Sequence, residues 1–295
     1  MKTHSGEVIA ERDNLRVIQC RECGFAHLDR LPPGVELSQY YMAEFWQKDK
    51  AGELALYEDR REWWSMVHSD WLSRLEVATL GRTLLDVGCG YGFFLKTAIE
   101  RKWHITGFEP SQTAADYATK LCGNGIWCGD WQHRDRSYDA PEKFDAISAL
   151  WLIEHLPDPE AFLLWCHQHL YSGGVLLVVC PNEWTAAQYS ADAIVHKRGW
   201  WIHPTHLNYF NMATLGNLLG RTGFKIVEWL ATFPIEKYIM NGEENYVDHP
   251  EMGPEIHRII ERSEMHMQPD KRLTLYHDLA RMSGGRDIVA IAQMN

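Results

Sequence analysis

Short apolar runs alternate with amphipathic stretches through the middle of the chain, between about residues 83 and 179. This alternation of strand-length and helix-length segments is typical of βαβ units. Strands are predicted at 83–87, 104–108, 144–150 and 175–179, and helices at 93–101, 111–121 and 159–170. The run at 175–179 is continuously apolar, as in a parallel strand covered on both faces. We therefore predict an α/β fold with a doubly wound, mostly parallel sheet.

Outside this region the pattern is weaker. Residues 185–208 are rich in Trp and His with little periodicity, and the first eighty residues show no clear sheet pattern. Further helices are predicted at 213–221, 255–265 and 271–281, with strands at 224–230 and 287–292. We predict four segments: an N-terminal lid (1–78), a Rossmann-like core (79–231), a helical insertion that caps the substrate (232–285) and a final core strand (286–295).

The chain is acidic, with 29 Lys and Arg against 40 Asp and Glu and a formal net charge of −11. Affinity for nucleic acid depends largely on neutralising phosphates, so an acidic chain without a basic stretch is a poor candidate for that partner. No signal-peptide pattern opens the sequence, and no apolar stretch reaches the roughly 18 residues of a membrane span. Seven scattered cysteines are expected to be reduced. We expect a cytoplasmic protein, able to form a homodimer, with neither nucleic acid nor a membrane as partner.

A glycine-rich turn follows the first predicted strand. Gly88, Gly90 and Gly92 come directly after Asp86 in the run Asp-Val-Gly-Cys-Gly-Tyr-Gly. Glycines in such a turn let the backbone approach a ligand closely, as in other nucleotide-binding βαβ units. Asp86 would repel a pyrophosphate but attract a cationic ammonium group. Glu109, at the end of the next strand, can accept hydrogen bonds from both hydroxyls of a ribose.

The ordered set of motifs resembles the class I S-adenosylmethionine (SAM)-dependent methyltransferases over about residues 83–230 and again at the last strand. The resemblance rests on the glycine-rich turn, Gly107-Phe-Glu-Pro110, Cys128-Gly-Asp-Trp131, the segments 144–147 and 154–159, and Gly173-Gly-Val-Leu-Leu-Val178. It implies that Asp86 and the three glycines line the methionyl part of SAM. It also implies that Glu109 and Pro110 hold the ribose and that Asp130 and Trp131 flank the adenine. The product would be S-adenosylhomocysteine.

A single Cys-x-x-Cys pair, Cys20 and Cys23, lies near the start of the chain. Its surroundings resemble the tail of a small cysteine ribbon that precedes many methyltransferases of bacterial sugar and secondary-metabolite pathways. A structural zinc site normally takes four ligands, usually from two such pairs, and the upstream pair is absent here. His4 and His27 could substitute, but we expect a degenerate ribbon with no metal bound.

The same resemblance implies that the degenerate ribbon is kept as a lid over the cofactor. On this interpretation Tyr40 or Tyr41 lies near the methionyl end of SAM. The region from about residue 234 to 289 resembles, more loosely, methyltransferases found among polysaccharide biosynthesis enzymes. That resemblance does not name a substrate.

Candidate catalytic residues lie in the segment 200–211, after the fifth predicted strand. This segment resembles the one in which sugar C-methyltransferases carry a Tyr-His-Glu-His-Leu-Ser-Tyr-Phe pattern. The second histidine of the pattern matches His206, but Thr205 stands where those enzymes have Glu. Loss of the Glu disfavours removal of a C–H proton and favours methylation of oxygen, in which a neutral imidazole takes the hydroxyl proton. We expect His206 to be the general base, with His155 and then His203 as alternatives.

The predicted function is O-methylation of a small-molecule, sugar or glycan hydroxyl. Four alternatives remain open: C-methylation of a sugar, an NAD(P)-dependent oxidoreductase, a catalytically idle SAM-binding partner protein and a nucleic-acid methyltransferase. The glycine spacing does not match the Gly-x-Gly-x-x-Gly of a dinucleotide site, because position 93 is Phe93. The acidic charge disfavours the nucleic-acid enzyme.

Overall fold

The computed structural model describes residues 4–30, 40–42, 45, 52–132, 141–197, 199–241 and 245–295. The strands in these ranges are β1 (Gly6–Arg12), β2 (Leu15–Cys20), β3 (Ala26–Leu28), β4 (Thr83–Val87), β5 (His104–Glu109), β6 (Ile126–Cys128), β7 (Phe144–Leu150), β8 (Leu170–Pro181), β9 (Asn208–Tyr209), β10 (Phe224–Ala231) and β11 (Asp287–Met294). The α-helices are α1 (Glu53–Asp59), α2 (Arg61–Ala78), α3 (Phe93–Glu100), α4 (Gln112–Cys122), α5 (Pro159–His169), α6 (Ala186–Ile194), α7 (Met212–Arg221), α8 (Gly253–His266) and α9 (Pro269–Arg281). No helix of the described residues is long and apolar enough to cross a membrane.

The large sheet has seven strands in the order β6-β5-β4-β7-β8-β11-β10. Strands β4 to β8 pair in parallel, whereas β11 runs antiparallel to both β8 and β10. The chain order reverses between β4 and β7, which are neighbours although β5 and β6 separate them in sequence. The predicted α/β, mostly parallel sheet is confirmed.

Helices cover both faces of this sheet, which explains why its central strands are apolar on both sides. On one face α5 packs against β8 and α7 against β10, through side chains such as Phe162 and Leu218. On the other face α2, α3 and α9 pack through Trp71, Leu95 and Tyr276. The two buried clusters fix the ends of the parallel strands, where the site described below is formed.

A second, four-stranded antiparallel sheet has the order β1-β2-β3-β9. The N-terminal sequence shows no clear sheet pattern, so this sheet was not predicted, and that expectation was wrong. Strand β3 has only three residues, and its outer neighbour β9 lies about 180 residues later in the chain, with His27 opposite Asn208. A short-window search for alternation cannot detect a strand pair separated in this way.

Strand β8 begins at Leu170, five residues before the predicted start at residue 175, so the Ser172-Gly-Gly174 run lies inside the strand, where the register with β7 shifts. Helix α4 begins at Gln112, one residue after the predicted start. Helices α8 and α9 occur where the sequence predicted them. They join α2 through Arg272, whose guanidinium Nε lies 2.6 Å from Asp70 Oδ2.

Candidate active site

A cavity of about 1260 Å³ opens at the carboxyl ends of β4, β5, β7 and β8, where the strand order reverses. In open α/β sheets this is the place where ligands bind, because the connections after neighbouring strands diverge there. Its described lining comes from the turns after these strands and after β6, from residues 41, 42 and 45, from α1 and α2, from residues 200–206 and from the start of β11. None of the described residues in 232–241 and 245–285 lines it, so a capping role for that segment stays a prediction.

The glycine-rich turn forms the floor of the cavity. Gly88, Gly90 and Gly92 all have positive φ, at 73°, 53° and 81°. A Cβ atom on Gly92 would lie 3.0 Å from Cβ of Ala118, and one on Gly88 would lie 3.2 Å from a methyl of Leu152. Because L-residues avoid this conformation, only glycine lets the backbone make this turn and leaves it accessible to a ligand.

Asp86 is buried at the end of β4 and lines the cavity. Its Oδ1 accepts a hydrogen bond of 2.7 Å from Ser148 Oγ. Burial raises the pKa of Asp86 to about 7, and the charge of Glu109 adds to the rise despite the opposing hydrogen bond from Ser148. A cationic ligand beside this carboxyl group would stabilise its ionised form and lower its pKa.

Glu109 is buried at the end of β5 and is oriented by the backbone. Its Oε2 accepts the Gly90 N–H at 2.9 Å, and its Oε1 accepts the Ser111 N–H at 3.0 Å. A carboxylate oxygen has two acceptor positions, so this geometry is compatible with ribose hydroxyls as additional donors. Pro110 follows it in the cavity lining.

Asp130 and Trp131 follow β6 and line the same cavity. Asp130 Oδ1 accepts the Gln132 N–H at 2.9 Å, which fixes the side chain in the turn. The Trp131 ring packs edge-on against Phe162, with centroids 5.4 Å apart, and against Trp165 at 5.8 Å. All the residues predicted to bind the cofactor, except Tyr40, therefore line this cavity, and those carried by the large sheet lie along one edge of it.

The three candidate histidines lie on its opposite side and all line it. His155 is buried; its Nδ1 lies 2.8 Å from the Thr205 carbonyl oxygen. Its ring meets that of His206 edge-on with centroids 4.9 Å apart. His203 is exposed and its Nδ1 lies 2.7 Å from Thr205 Oγ1. A backbone N–H···O bond of 3.1 Å from His206 to the His203 carbonyl closes the loop that carries both.

Of the two candidate tyrosines, Tyr41 lines the cavity. Its hydroxyl lies 2.9 Å from His155 Nδ1 and 3.4 Å from the Thr205 carbonyl oxygen. Tyr40 contacts the Tyr41 ring edge-on, with centroids 5.5 Å apart. The N-terminal segment thus contributes a side chain to the histidine side of the cavity.

Glu154 was not among the predicted site residues, yet it lies among the histidines. It is 2% exposed, and its Oε1 lies 3.9 Å from His155 Nε2. Glu154, His155 and His206 each offer a donor atom, all within 4.8 Å of one another. The signal in the sequence was the Glu154-His155 dipeptide, in the short helical turn that follows β7. The structure therefore supplies a carboxylate near His206 although position 205 is threonine.

A polar group at the start of β11 was also missed. Asp287 and Arg286 line the cavity, and Trp151 Nε1 donates to Asp287 Oδ1 at 3.2 Å. Trp151 has φ of 49°, a conformation that non-glycine residues rarely adopt and that clusters at functional sites. The Arg286 guanidinium lies 5.8 Å from the centre of the Trp200 ring. Trp151 packs in part against the hydrophobic core, and it also faces the cavity.

His4 and His27 lie beside the Cys-x-x-Cys pair in the small sheet. His4 Nδ1 is 3.2 Å from Cys23 Sγ, 3.6 Å from Cys20 Sγ and 3.2 Å from His27 Nε2. The four donor atoms all lie within 4.8 Å of one another. The structure thus brings together the two histidines and two cysteines that the sequence analysis had considered as a combined ligand set.

The comparisons with known proteins agree with the cofactor half of this geometry. Residues 45–229 match a family model described as a methyltransferase domain, which is more than half of the chain. A ubiquinone biosynthesis O-methyltransferase of Aeromonas salmonicida is 26% identical over 148 residues, covering 44% of this chain. The match spans 62% of that relative's own length.

Solved structures share the fold. A SAM-dependent methyltransferase from Archaeoglobus fulgidus superposes with a TM-score of 0.51 at 20% identity, covering 82% of this chain and 99% of that chain. The magnesium protoporphyrin IX methyltransferase of Synechocystis PCC 6803, solved with S-adenosylhomocysteine, gives a TM-score of 0.53 at 13% identity and covers 89% and 100%. At these identities the likeness concerns the fold.

Proposed function

We propose that this chain, which belongs to the methyltransferase domain family and is SAM-dependent, methylates a hydroxyl oxygen of a small molecule. One observation carries the proposal: the predicted cofactor residues and the three histidines line the same cavity. The acceptor oxygen attacks the methyl carbon of SAM, and the C–S bond breaks with its electron pair left on sulfur. The hydroxyl proton passes to His206.

The cofactor half offers a complementary group for each part of SAM. Asp86 is a buried carboxyl suited to the ammonium group of the methionyl chain, and Glu109 is held in place for the ribose hydroxyls. Trp131 offers an aromatic face beside Asp130 for the adenine. The glycine turn between them allows close backbone approach. Holding the methyl donor rigidly is itself a large part of catalysis in methyl transfer, because it converts a bimolecular step into one within the complex.

The histidine half offers proton acceptors in a polar cluster. His155 Nδ1 lies within hydrogen-bond distance of the Thr205 carbonyl, which suits an N–H at Nδ1 and a lone pair at Nε2. Glu154, 3.9 Å from that Nε2, would stabilise the imidazolium that forms when the ring takes a proton. His206 meets this ring edge-on, and we assign the proton transfer to His206 with His155 as its alternative.

Aromatic side chains form much of the remaining wall. Trp200, Trp201 and Tyr41 line the histidine side of the cavity, and flat rings of this kind pack well against a sugar or a phenol. The relative named for ubiquinone biosynthesis is an O-methyltransferase by name, which supports a small-molecule hydroxyl. We propose a ring-bearing acceptor, either a sugar or a phenol, and not a nucleic acid, because the net charge is −11.

C-methylation is the second candidate, and Glu154 favours it. The pattern of sugar C-methyltransferases includes a carboxylate beside the histidine, and Glu154 places one there from a different element. A carboxylate and an imidazole side by side could also remove a proton from carbon next to a carbonyl.

The test is a screen with SAM labelled in its methyl group, against sugars, sugar nucleotides and phenols. We expect label to enter one acceptor class, and product analysis to place the methyl group on oxygen. A methyl group on carbon would establish the second candidate. Glu109→Ala is the control for cofactor-dependent transfer. Tight SAM binding with no transfer to any acceptor would favour the idle partner protein instead.

A further inference from the structure

We propose that His4, Cys20, Cys23 and His27 bind one structural zinc ion through Nδ1, Sγ, Sγ and Nε2. This site is separate from the methyl-transfer cavity, since none of the four is among the cavity-lining residues in the described part of the chain. The proposal does not depend on the proposed function. It also reverses the expectation that no metal is bound. That expectation rested on the number of Cys-x-x-Cys pairs in the sequence and not on which donor atoms lie close together in the fold.

The distances between donor atoms match a tetrahedral zinc site. With Zn–S near 2.3 Å and Zn–N near 2.0 Å, the edges of a tetrahedron are about 3.3 Å between two nitrogens and about 3.5 Å between nitrogen and sulfur. The observed values are 3.2 Å from His4 Nδ1 to His27 Nε2, and 3.2 and 3.6 Å from His4 Nδ1 to the two sulfurs. Two thiolates and two imidazoles form a Cys₂His₂ set, which zinc favours.

The groups around the donors orient them as a metal site requires. His27 Nδ1 lies 2.6 Å from the Leu28 carbonyl oxygen, so its N–H is placed there and the Nε2 lone pair faces the cluster. Zinc-bound histidines commonly donate the other ring N–H in this way. The Cys23 backbone N–H points at Cys20 Sγ from 3.4 Å. Gly24, with φ of 76°, completes the tight turn that brings the two sulfurs together.

An acidic neighbour lies beside the cluster without competing for a place in it. Glu22 Oε2 lies 3.3 Å from Cys20 Sγ, and the same carboxylate accepts hydrogen bonds from the Ser5 N–H and hydroxyl. Two thiolates cancel the charge of one zinc ion, so the Glu22 carboxylate is not needed to neutralise it, and its hydrogen bonds to Ser5 hold it outside the donor set.

The four ligands join separate parts of the small sheet. His4 precedes β1, Cys20 ends β2, and His27 lies in β3 opposite Asn208 of β9. Four protein ligands leave no open coordination position, which is typical of a structural site. The ion would therefore hold the N-terminal strands together and, through β9, support the loop that carries His203 and His206.

The test is metal analysis of the full-length protein purified without added chelator. We expect one zinc per chain, retained on dialysis. Substitution by Co²⁺ should give the sulfur-to-cobalt charge-transfer absorption of thiolate ligands. His4→Ala is the most informative variant because His4 is exposed, so the fold should survive its loss. We expect its zinc dissociation constant to rise by at least about 100-fold while its circular dichroism stays that of the parent.

Cys128→Ser, at a cysteine outside the cluster, is the matched control and should keep one zinc per chain. Protein that is metal-free as purified, and that neither binds nor is stabilised by added Zn²⁺ after reduction, would overturn the proposal. A Cys20–Cys23 disulfide in protein handled under reducing conditions would overturn it equally. One zinc per chain that persists in both His4→Ala and Cys20→Ser would place the ion elsewhere.

Discussion

Two clusters of histidines with cysteines or a carboxylate lie near the paired strands β3 and β9, and they differ in their surroundings. The N-terminal group has two thiols and two imidazoles, outside the cavity, around which the backbone closes tightly. The second group, Glu154, His155 and His206, has one carboxylate and two imidazoles and faces the cavity. The pairing of β3 with β9 connects them.

The difference shows how access and donor type decide the role of similar side chains. Four donors that include sulfur can enclose an ion and leave nothing for a substrate, whereas three oxygen and nitrogen donors at a cavity wall can exchange protons with a bound molecule. We therefore assign a structural role to the first group and a chemical role to the second. The cofactor half of the cavity is the reference, because substitutions in either group should leave SAM affinity unchanged.

The largest expected effect is that of His206→Ala on turnover. Loss of a positioned base should lower kcat by roughly 10²–10⁴-fold, while SAM affinity and zinc content stay the same. Steady-state kinetics with SAM titration measure both.

His196→Ala is the matched control, at an exposed histidine bonded to Asp248 outside the cavity lining. It should keep full activity. If His206→Ala also keeps full turnover, the proton acceptor is not His206, and His155→Ala then becomes the informative variant.

Glu109→Ala should come next in size. Removing the carboxylate leaves ribose hydroxyls and two backbone N–H groups without their partner, which costs about 1–3 kcal/mol, or about 5- to 150-fold in SAM affinity. Isothermal titration calorimetry gives the value, and zinc content should be unaffected. Unchanged SAM affinity would contradict the cofactor assignment, and NADH binding tighter than SAM would indicate an oxidoreductase.

SAM affinity should also depend on pH through Asp86. Burial, with the charge of Glu109, raises the pKa of Asp86 from 3.8 to about 7 in the ligand-free protein. A carboxyl group that holds its proton more tightly when folded destabilises the protein as pH rises from about 4 to about 7, because the unfolded chain ionises first. The SAM ammonium favours the ionised form, so affinity should rise over this window by up to about tenfold per pH unit.

Calorimetry at several pH values measures this slope, and Asp86→Asn is the variant that should abolish it. The slope should be the same in His206→Ala as in the parent. If the SAM affinity of the parent protein does not change between about pH 5 and about pH 7, Asp86 does not contact the ammonium group of SAM.

The smallest expected effect links the two groups. Loss of zinc in His4→Ala should loosen β3 and its neighbour β9, and lower kcat by about 3- to 10-fold through the position of His206. SAM affinity should stay the same, because the cofactor residues lie on the large sheet. A kcat equal to that of the parent in zinc-free His4→Ala would mean that the small sheet holds the loop without the ion.

Local sequence determined the large sheet and the cofactor half of the cavity. The strands that carry Asp86 and Glu109 at their carboxyl ends are short apolar runs followed by turn residues, and each can be recognised within about ten residues. The glycines between them are required by a backbone with positive φ. Features of this kind depend on neighbours in the chain, so the sequence alone predicts them.

Tertiary structure alone decided which distant side chains meet. Glu154 comes to His206 because the connection after β7 folds against the loop before β9, whose Leu207 N–H bonds to the Glu154 carbonyl at 2.8 Å. His4 and His27 reach Cys20 and Cys23 because three antiparallel strands bring their ends together. A periodic pattern specifies which face of a strand is buried but not which strand lies beside it. That choice depends on packing of the whole chain, and it produced both groups of histidines.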